Sequence, residues 1–259
     1  MFNLNNKKLV LLSLDGCLCE SKMPITFKMA GLIENLLEKC LVGVISGGAY
    51  AQFKVQLLDN LPLLDRDLEK LYLFPTCATS FYRFQNKKWE KIYAEEFSEE
   101  EKKKIFAAFK KCFKETGYIT DATPKYGEIL EDRLSQITCS CLGQKAPLSV
   151  KKEWDPSFVK RLTMIEFLRT ELKDFNISAG GTSSIDIVRG GVDKSYCLPK
   201  IKEHLNIKQS EILYVGNKFY EKFGEDYPIK AAGVDCVEVA NPIEMEEVIV
   251  NILNGQDAK

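Results

Sequence analysis

Hydrophobic positions along the chain alternate between short continuous runs and helix-spaced stretches. Residues 8–14 form an apolar run closed by Asp15-Gly16, as a strand buried on both faces requires. Over 26–39 the apolar residues Phe27, Met29, Leu32, Ile33, Leu36 and Leu37 recur at helical spacing. A second apolar run, 41–45, stops at Ser46-Gly47-Gly48; a helix follows to about residue 58, and 71–74 makes a third strand before Pro75. Strand, helix, strand, helix, strand is the order of a parallel sheet with crossover helices.

The middle of the chain has a different rhythm. Residues 80–93 read as a hairpin turning at Gln85-Asn86-Lys87, and 96–116 as a strongly charged amphipathic helix. A strand over 128–141, a helix over 155–173 and further strand over 176–188 follow. After Gly190-Gly191 the first rhythm resumes, with a helix over 194–205, a buried strand over 211–215 and a last strand over 234–239. The pattern predicts an α/β fold: a Rossmann-like core over 1–86 and 189–259, with an α+β unit inserted over 87–188.

Composition narrows the function. The 36 basic and 37 acidic residues nearly cancel, so no overall field points to nucleic acid or to an acidic membrane surface. Lysines 102–104, 110 and 111 alternate with Ile105, Phe106, Phe109 and Phe113, which reads as the wet face of a helix. No signal peptide and no membrane span is evident, and nine cysteines without secretory spacing predict a cytoplasmic protein with reduced thiols. Cys17-Leu18-Cys19 and Cys139-Ser140-Cys141 lack a partner pair or nearby histidine for a tetrahedral metal site. His204, the single histidine, falls on an exposed helix face, which excludes a Ser-His-Asp arrangement.

Ligands in an open parallel sheet bind at the carboxyl ends of its strands. Those ends carry Ser13 and Asp15, Ser46, Lys194, and Asn217 followed by Asp226. Hydroxyls with a lysine can hold a phosphoryl group, while carboxylates hold magnesium and supply a nucleophile. In order and spacing the chain resembles the haloacid-dehalogenase superfamily, in the branch with a large α+β cap, and within it the phosphomannomutase-like proteins. Four segments carry the resemblance: Ser13-Leu14-Asp15-Gly16-Cys17, Ile45-Ser46-Gly47-Gly48, Gly191-Val192-Asp193-Lys194, and Gly216-Asn217 with Phe223-Gly224-Glu225-Asp226. In the cap, Arg133 and the run from Gly180 through Ser184 to Asp186 match segments that grip a phosphosugar.

The resemblance implies magnesium-dependent phosphoryl transfer on a hexose phosphate such as mannose 1-phosphate or mannose 6-phosphate, and a homodimer formed through the cap around Phe106, Phe109 and Phe113. It makes Asp15 the general acid/base, has Ser46, Gly47 and Lys194 steady the phosphoryl group, and has Arg133, Ser184 and Asp186 anchor the sugar. Magnesium would be held at positions 13, 15 and 217 with Asp226 in support. The departures concentrate there: Ser13 stands for the nucleophilic aspartate, Asn217 for a metal-ligand aspartate, Phe223 for a glycine, Glu225 for an asparagine, and Gln144 for a second cap arginine. Losing a nucleophile costs on the order of 10⁴- to 10⁶-fold in rate. An impaired reaction and a weakened magnesium site are therefore expected. The alternative is a non-catalytic module that binds a phosphosugar or another protein.

Overall fold

The computed structural model describes residues 6–62, 64–221 and 224–255. Phe223 lies outside them. The chain divides into two units: residues up to Ala94 together with those from Lys194 onward, and an insert, Glu95–Asp193.

The larger unit is built on a seven-stranded sheet. Its strands are β1 (Leu9–Ser13), β2 (Leu41–Ile45), β3 (Leu71–Phe74), β4 (Ser80–Gln85), β5 (Lys88–Ala94), β10 (Ile212–Gly216) and β11 (Asp235–Glu238), in the order β11-β10-β1-β2-β3-β4-β5. The five strands from β11 to β3 are parallel, with Leu9 opposite Ile212 and Ser13 opposite Ile45. β4 and β5 are antiparallel, turning at Asn86 and Lys87, both with positive φ. Because β5 pairs along its whole length with β4, the boundary falls at Ala94 rather than at residue 87, and residues 189–193 belong to the insert.

Alternation along β1 divides the core in two. Val10 and Leu12 face α1 (Phe27–Lys39) and the C-terminal helix α10 (Pro242–Leu253), while Leu9 and Leu11 face α8 (Cys197–Leu205). Thr26 caps α1 by accepting from the Met29 N–H, and Asn241 caps α10 through the N–H groups of Ile243 and Glu244. Shorter helical pieces, α2 (Tyr50–Gln56), α3 (Asp65–Leu68), α4 (Pro75–Ala78) and α9 (Tyr227–Ala231), join the strands. α4 is a left-handed turn, with Thr76, Cys77 and Ala78 all at positive φ.

The insert packs α5 (Glu99–Thr116), α6 (Leu148–Trp154) and α7 (Val159–Glu171) with a sheet ordered β6-β7-β9-β8, made of Leu130–Asp132, Ile137–Ser140, Ser184–Arg189 and Phe175–Gly180 respectively. Residues 128–141 are thus a hairpin and not one strand: Leu134 takes a left-handed conformation and the chain reverses, the Arg133 N–H donating to Gln136 O. The same happens at Gly181, which splits 176–188. The expected helix over 155–173 is α7, starting at Val159 after Asp155-Pro156, and it is preceded by a further short helix, α6, that the sequence pattern did not predict. Phe109 is fully buried in one cluster with Met164, Ile165 and Leu168, and Phe106 and Phe113, partly buried, pack beside it.

Candidate active site

The parallel strands end at one edge of the larger sheet, where β1, β2 and β10 bring Ser13, Ser46 and Asn217. Ser13 closes β1 and is buried. Lys194, in the turn that opens α8, donates from Nζ to Ser13 Oγ at 3.2 Å and to Asp226 Oδ1 at 2.5 Å. Asp226 is completely buried. Its Oδ1 also accepts from the Tyr214 hydroxyl (2.8 Å), and its Oδ2 from the backbone N–H groups of Asn217 (2.8 Å) and Lys218 (3.3 Å). Glu225 lies 3.8 Å from Lys194 Nζ and 3.2 Å from Lys218 Nζ.

These neighbours set the charges. Burial works against the Lys194 ammonium, but Asp226 and then Glu225 outweigh it and hold its pKa above the ordinary lysine value. Burial likewise works against the Asp226 carboxylate, and Lys194, the Asn217 N–H and the Tyr214 hydroxyl outweigh it, leaving Asp226 below the ordinary range. Tyr214 is driven well up by burial and by Asp226, and burial pushes the Cys17 thiol up to about 12. A Ser-Lys hydrolase needs a neutral lysine to take the serine proton. Lys194 is a charged donor to Ser13, so the pair cannot work that way.

The other half of the edge gathers around Asp15. Its Oδ2 accepts from Ser46 Oγ (3.0 Å), and its Oδ1 from Gln56 Nε2 (3.2 Å) and the Lys22 N–H (3.2 Å). The Gly48 N–H donates to Ser46 Oγ at 3.0 Å, fixing that hydroxyl in turn. The left-handed turn α4 secures the Ser46–Gly48 loop: Cys77 N–H donates to Ser46 O and Thr76 N–H to Gly48 O, both at 3.0 Å. Gln56 is buried with Nε2 turned to Asp15, and its Oε1 is left without a hydrogen-bond partner. Gly16 has φ +77°, and a Cβ there would meet Asn217 Nδ2 at 2.7 Å, so this turn accepts glycine alone.

The donor set argues against magnesium. The ion takes oxygen ligands and favours carboxylates. Position 13 offers an uncharged hydroxyl already hydrogen-bonded to an ammonium. Asn217 turns its amide N–H toward Gly16 O, 3.4 Å away, where a ligand would have to present oxygen. A carboxylate has about four acceptor directions, and the four donors on Asp226 use them. Among the described residues no group of three His, Cys, Asp or Glu side chains is disposed to hold a metal ion. The residues present do not fit the ion.

Of the sequence-derived site residues, the larger unit brings together Ser13, Lys194, Asn217 and Asp226 as one network and Asp15 with Ser46 as another, Gly47 lying half-buried in the same loop. Arg133, Ser184 and Asp186 all lie in the insert. Arg133 is an ion-pair partner of Glu131 (Nη2 at 2.6 Å), which also accepts from Gln144. Asp186, opposite Thr138 across β7 and β9, accepts from its hydroxyl at 2.6 Å, and Ser184 stands half-buried two residues earlier on the same face. Tyr214, Lys218 and Gln56 were not legible as site residues. Gln56 did leave a signal, a polar side chain in phase with Phe53 on the buried face of α2.

The family model for eukaryotic phosphomannomutase matches residues 29–254. The phosphomannomutase of Encephalitozoon cuniculi is 30% identical over 251 residues, 92% of this chain and 90% of that protein. The phosphomannomutase of Saccharomyces cerevisiae is 26% identical over 95% of this chain and 92% of its own length. Among solved structures, a haloacid dehalogenase-like hydrolase from Bacteroides thetaiotaomicron superposes with a TM-score of 0.62 at 14% identity, over 95% of this chain and 99% of that one. An IMP-nucleotidase of Plasmodium falciparum reaches 0.70 at 13% identity, over 96% and 68%. At such identities these two attest the fold alone. With the family model matched over residues 29–254 and a relative 30% identical over nearly the whole chain, the chain belongs to the eukaryotic phosphomannomutase family.

Proposed function

We propose that this chain binds a hexose phosphate, such as mannose 1-phosphate or mannose 6-phosphate, without the phosphoryl transfer of its relatives. The observation that carries the reading is the bond from the charged Lys194 to Ser13 Oγ. The position that would form the phosphoenzyme has no carboxylate, and its hydroxyl faces a proton donor where a nucleophilic serine needs a base. Binding elements persist: Lys194, Ser46 and the Gly47–Gly48 loop in the larger unit, and Arg133, Ser184 and Asp186 in the insert. Nine cysteines, none of them in a disulfide, support a reducing, cytoplasmic setting, and no described helix is long and apolar enough to cross a membrane.

The test is an assay of the purified chain with mannose 1-phosphate and glucose 1-phosphate in magnesium, beside the Ser13→Asp/Asn217→Asp double variant. The expected result is turnover on the order of 10⁴-fold or more below an active relative for the unaltered chain, with thermal stabilisation by the sugar phosphate. Turnover at ordinary rates overturns the reading. A gain of activity in the double variant locates the loss at these two positions.

A further inference from the structure

Two carboxylates are missing from this site relative to the family pattern, at 13 and 217, and one has appeared, at 225. Glu225 sits between the two ammonium groups, 3.8 Å from Lys194 Nζ and 3.2 Å from Lys218 Nζ. Lys194 is otherwise matched by Asp226, so Glu225 supplies the charge opposite Lys218. In the family pattern the two aspartates and the phosphate are all anionic, and a divalent cation is what lets them share one pocket. Here the aspartates are a hydroxyl and an amide. Two of the charges that make the cation necessary are gone.

Resting on the phosphate-binding reading above, we propose that this site takes a phosphomonoester directly on Lys194 and Lys218 with no divalent ion, and that Glu225 is the resident anion the phosphate displaces. Lys194 Nζ has three protons. One goes to Asp226 and one to Ser13, and the third faces Glu225 across 3.8 Å, beyond hydrogen-bonding length. That third proton is the one a phosphate oxygen would take. Asp226 cannot be the anion that yields, being fully buried with four donors fixed on it. Glu225 is only half-buried, with 23% of its side chain exposed, and can swing toward water.

Isothermal titration of the full chain with inorganic phosphate, once in EDTA and once in magnesium chloride, tests this. Equal affinity in the two buffers is expected, together with no thermal shift from magnesium alone. Ser13→Asp/Asn217→Asp should acquire a magnesium-dependent shift, which shows that the measurement detects the ion. Glu225→Gln should tighten phosphate binding about tenfold, since a like charge is removed from a partly screened site. Phosphate binding that needs magnesium overturns the proposal, as does magnesium stabilising the unaltered chain, absence of phosphate binding in both buffers, or unchanged affinity in a folded Glu225→Gln. Should that variant not fold, the comparison of buffers on the unaltered chain decides. If inorganic phosphate binds without magnesium but hexose phosphates bind no tighter, the phosphosugar reading fails while metal independence stands.

Discussion

Among the described residues, each unit contains one ion pair buried almost completely. In the larger unit it is Lys194 with Asp226, side chains 4% and 0% exposed; in the insert it is Arg161 with Asp155, 8% and 1% exposed. Burial and charge do not tell them apart, but their remaining bonds do. Asp155 also accepts the N–H groups of Lys160 and Arg161 at the start of α7, and the Arg161 guanidinium reaches Gly180 O and Gly181 O while lying 4.7 Å from the Phe158 ring centre. All of that ties α7 to the β8–β9 turn. The Lys194 ammonium instead spends a proton on Ser13, at the strand end where the family pattern places its nucleophile. A buried pair is therefore weak evidence of function, and the direction of its leftover donor is the better guide.

The sharpest way to break that contrast is to neutralise each acid. Asp226→Asn leaves a buried ammonium without its partner and should cost about 3–5 kcal/mol. Asp155→Asn leaves Arg161 two carbonyls and an aromatic face, so the loss should be about 2–3 kcal/mol, that of hydrogen bonds to a charged group. Urea denaturation of both variants measures the difference. An Asp155→Asn loss equal to or above that of Asp226→Asn would show that the carbonyls of Gly180 and Gly181 do not compensate the guanidinium.

The same contrast explains what was legible in the sequence. Ser13, Ser46 and Asn217 could be found because an apolar run fixes where a strand ends, and the next polar residue must then stand at the sheet edge. Lys194 and Asp226 followed from their place in the resembling segments. Tyr214 could not be found, since a tyrosine inside an apolar strand reads as packing until its hydroxyl is seen on Asp226. The insert was harder throughout. Its hairpin reverses at Leu134 without a glycine or asparagine to mark the turn, and α6 was missed because none of its residues is buried, so it carries no apolar stripe.

A smaller effect in the insert is read by pH. Glu101 completes the capping box of α5 with Ser98 and pairs with Arg189 at 2.7 Å. Arg189, and then the Ser98 N–H, hold its carboxyl at about 2 against an ordinary 4.5. A depressed folded-state pKa stabilises above the unfolded value and loses that contribution as pH falls through the folded one. The insert should therefore lose stability between about pH 4.5 and about 2. After solvent screening, Glu101→Gln should cost about 1 kcal/mol at neutral pH and flatten the slope in that window. Acid unfolding followed by circular dichroism checks both, and an unchanged slope would assign the acid sensitivity elsewhere.

The smallest effect concerns strain, and again the units should differ. A non-glycine residue in the left-handed region costs roughly 1–2 kcal/mol. Leu134 (φ 69°) carries that cost at an insert hairpin tip with 45% of the residue exposed. Ala78 (φ 66°) carries it beneath the Ser46–Gly48 loop, fully buried. Glycine relieves the strain at either place but returns about 0.5–1 kcal/mol as unfolded-chain entropy. At Leu134 little burial is lost, so Leu134→Gly should raise stability, by less than about 1 kcal/mol. At Ala78 a packed methyl disappears as well, worth about 1 kcal/mol, so Ala78→Gly should be neutral or destabilising. Calorimetric melting of the two variants gives the sign of each. If Ala78→Gly raises the Tm more than Leu134→Gly does, the left-handed turn under Ser46 is not held by the packing around it, and the strain there belongs to the site and not to the core.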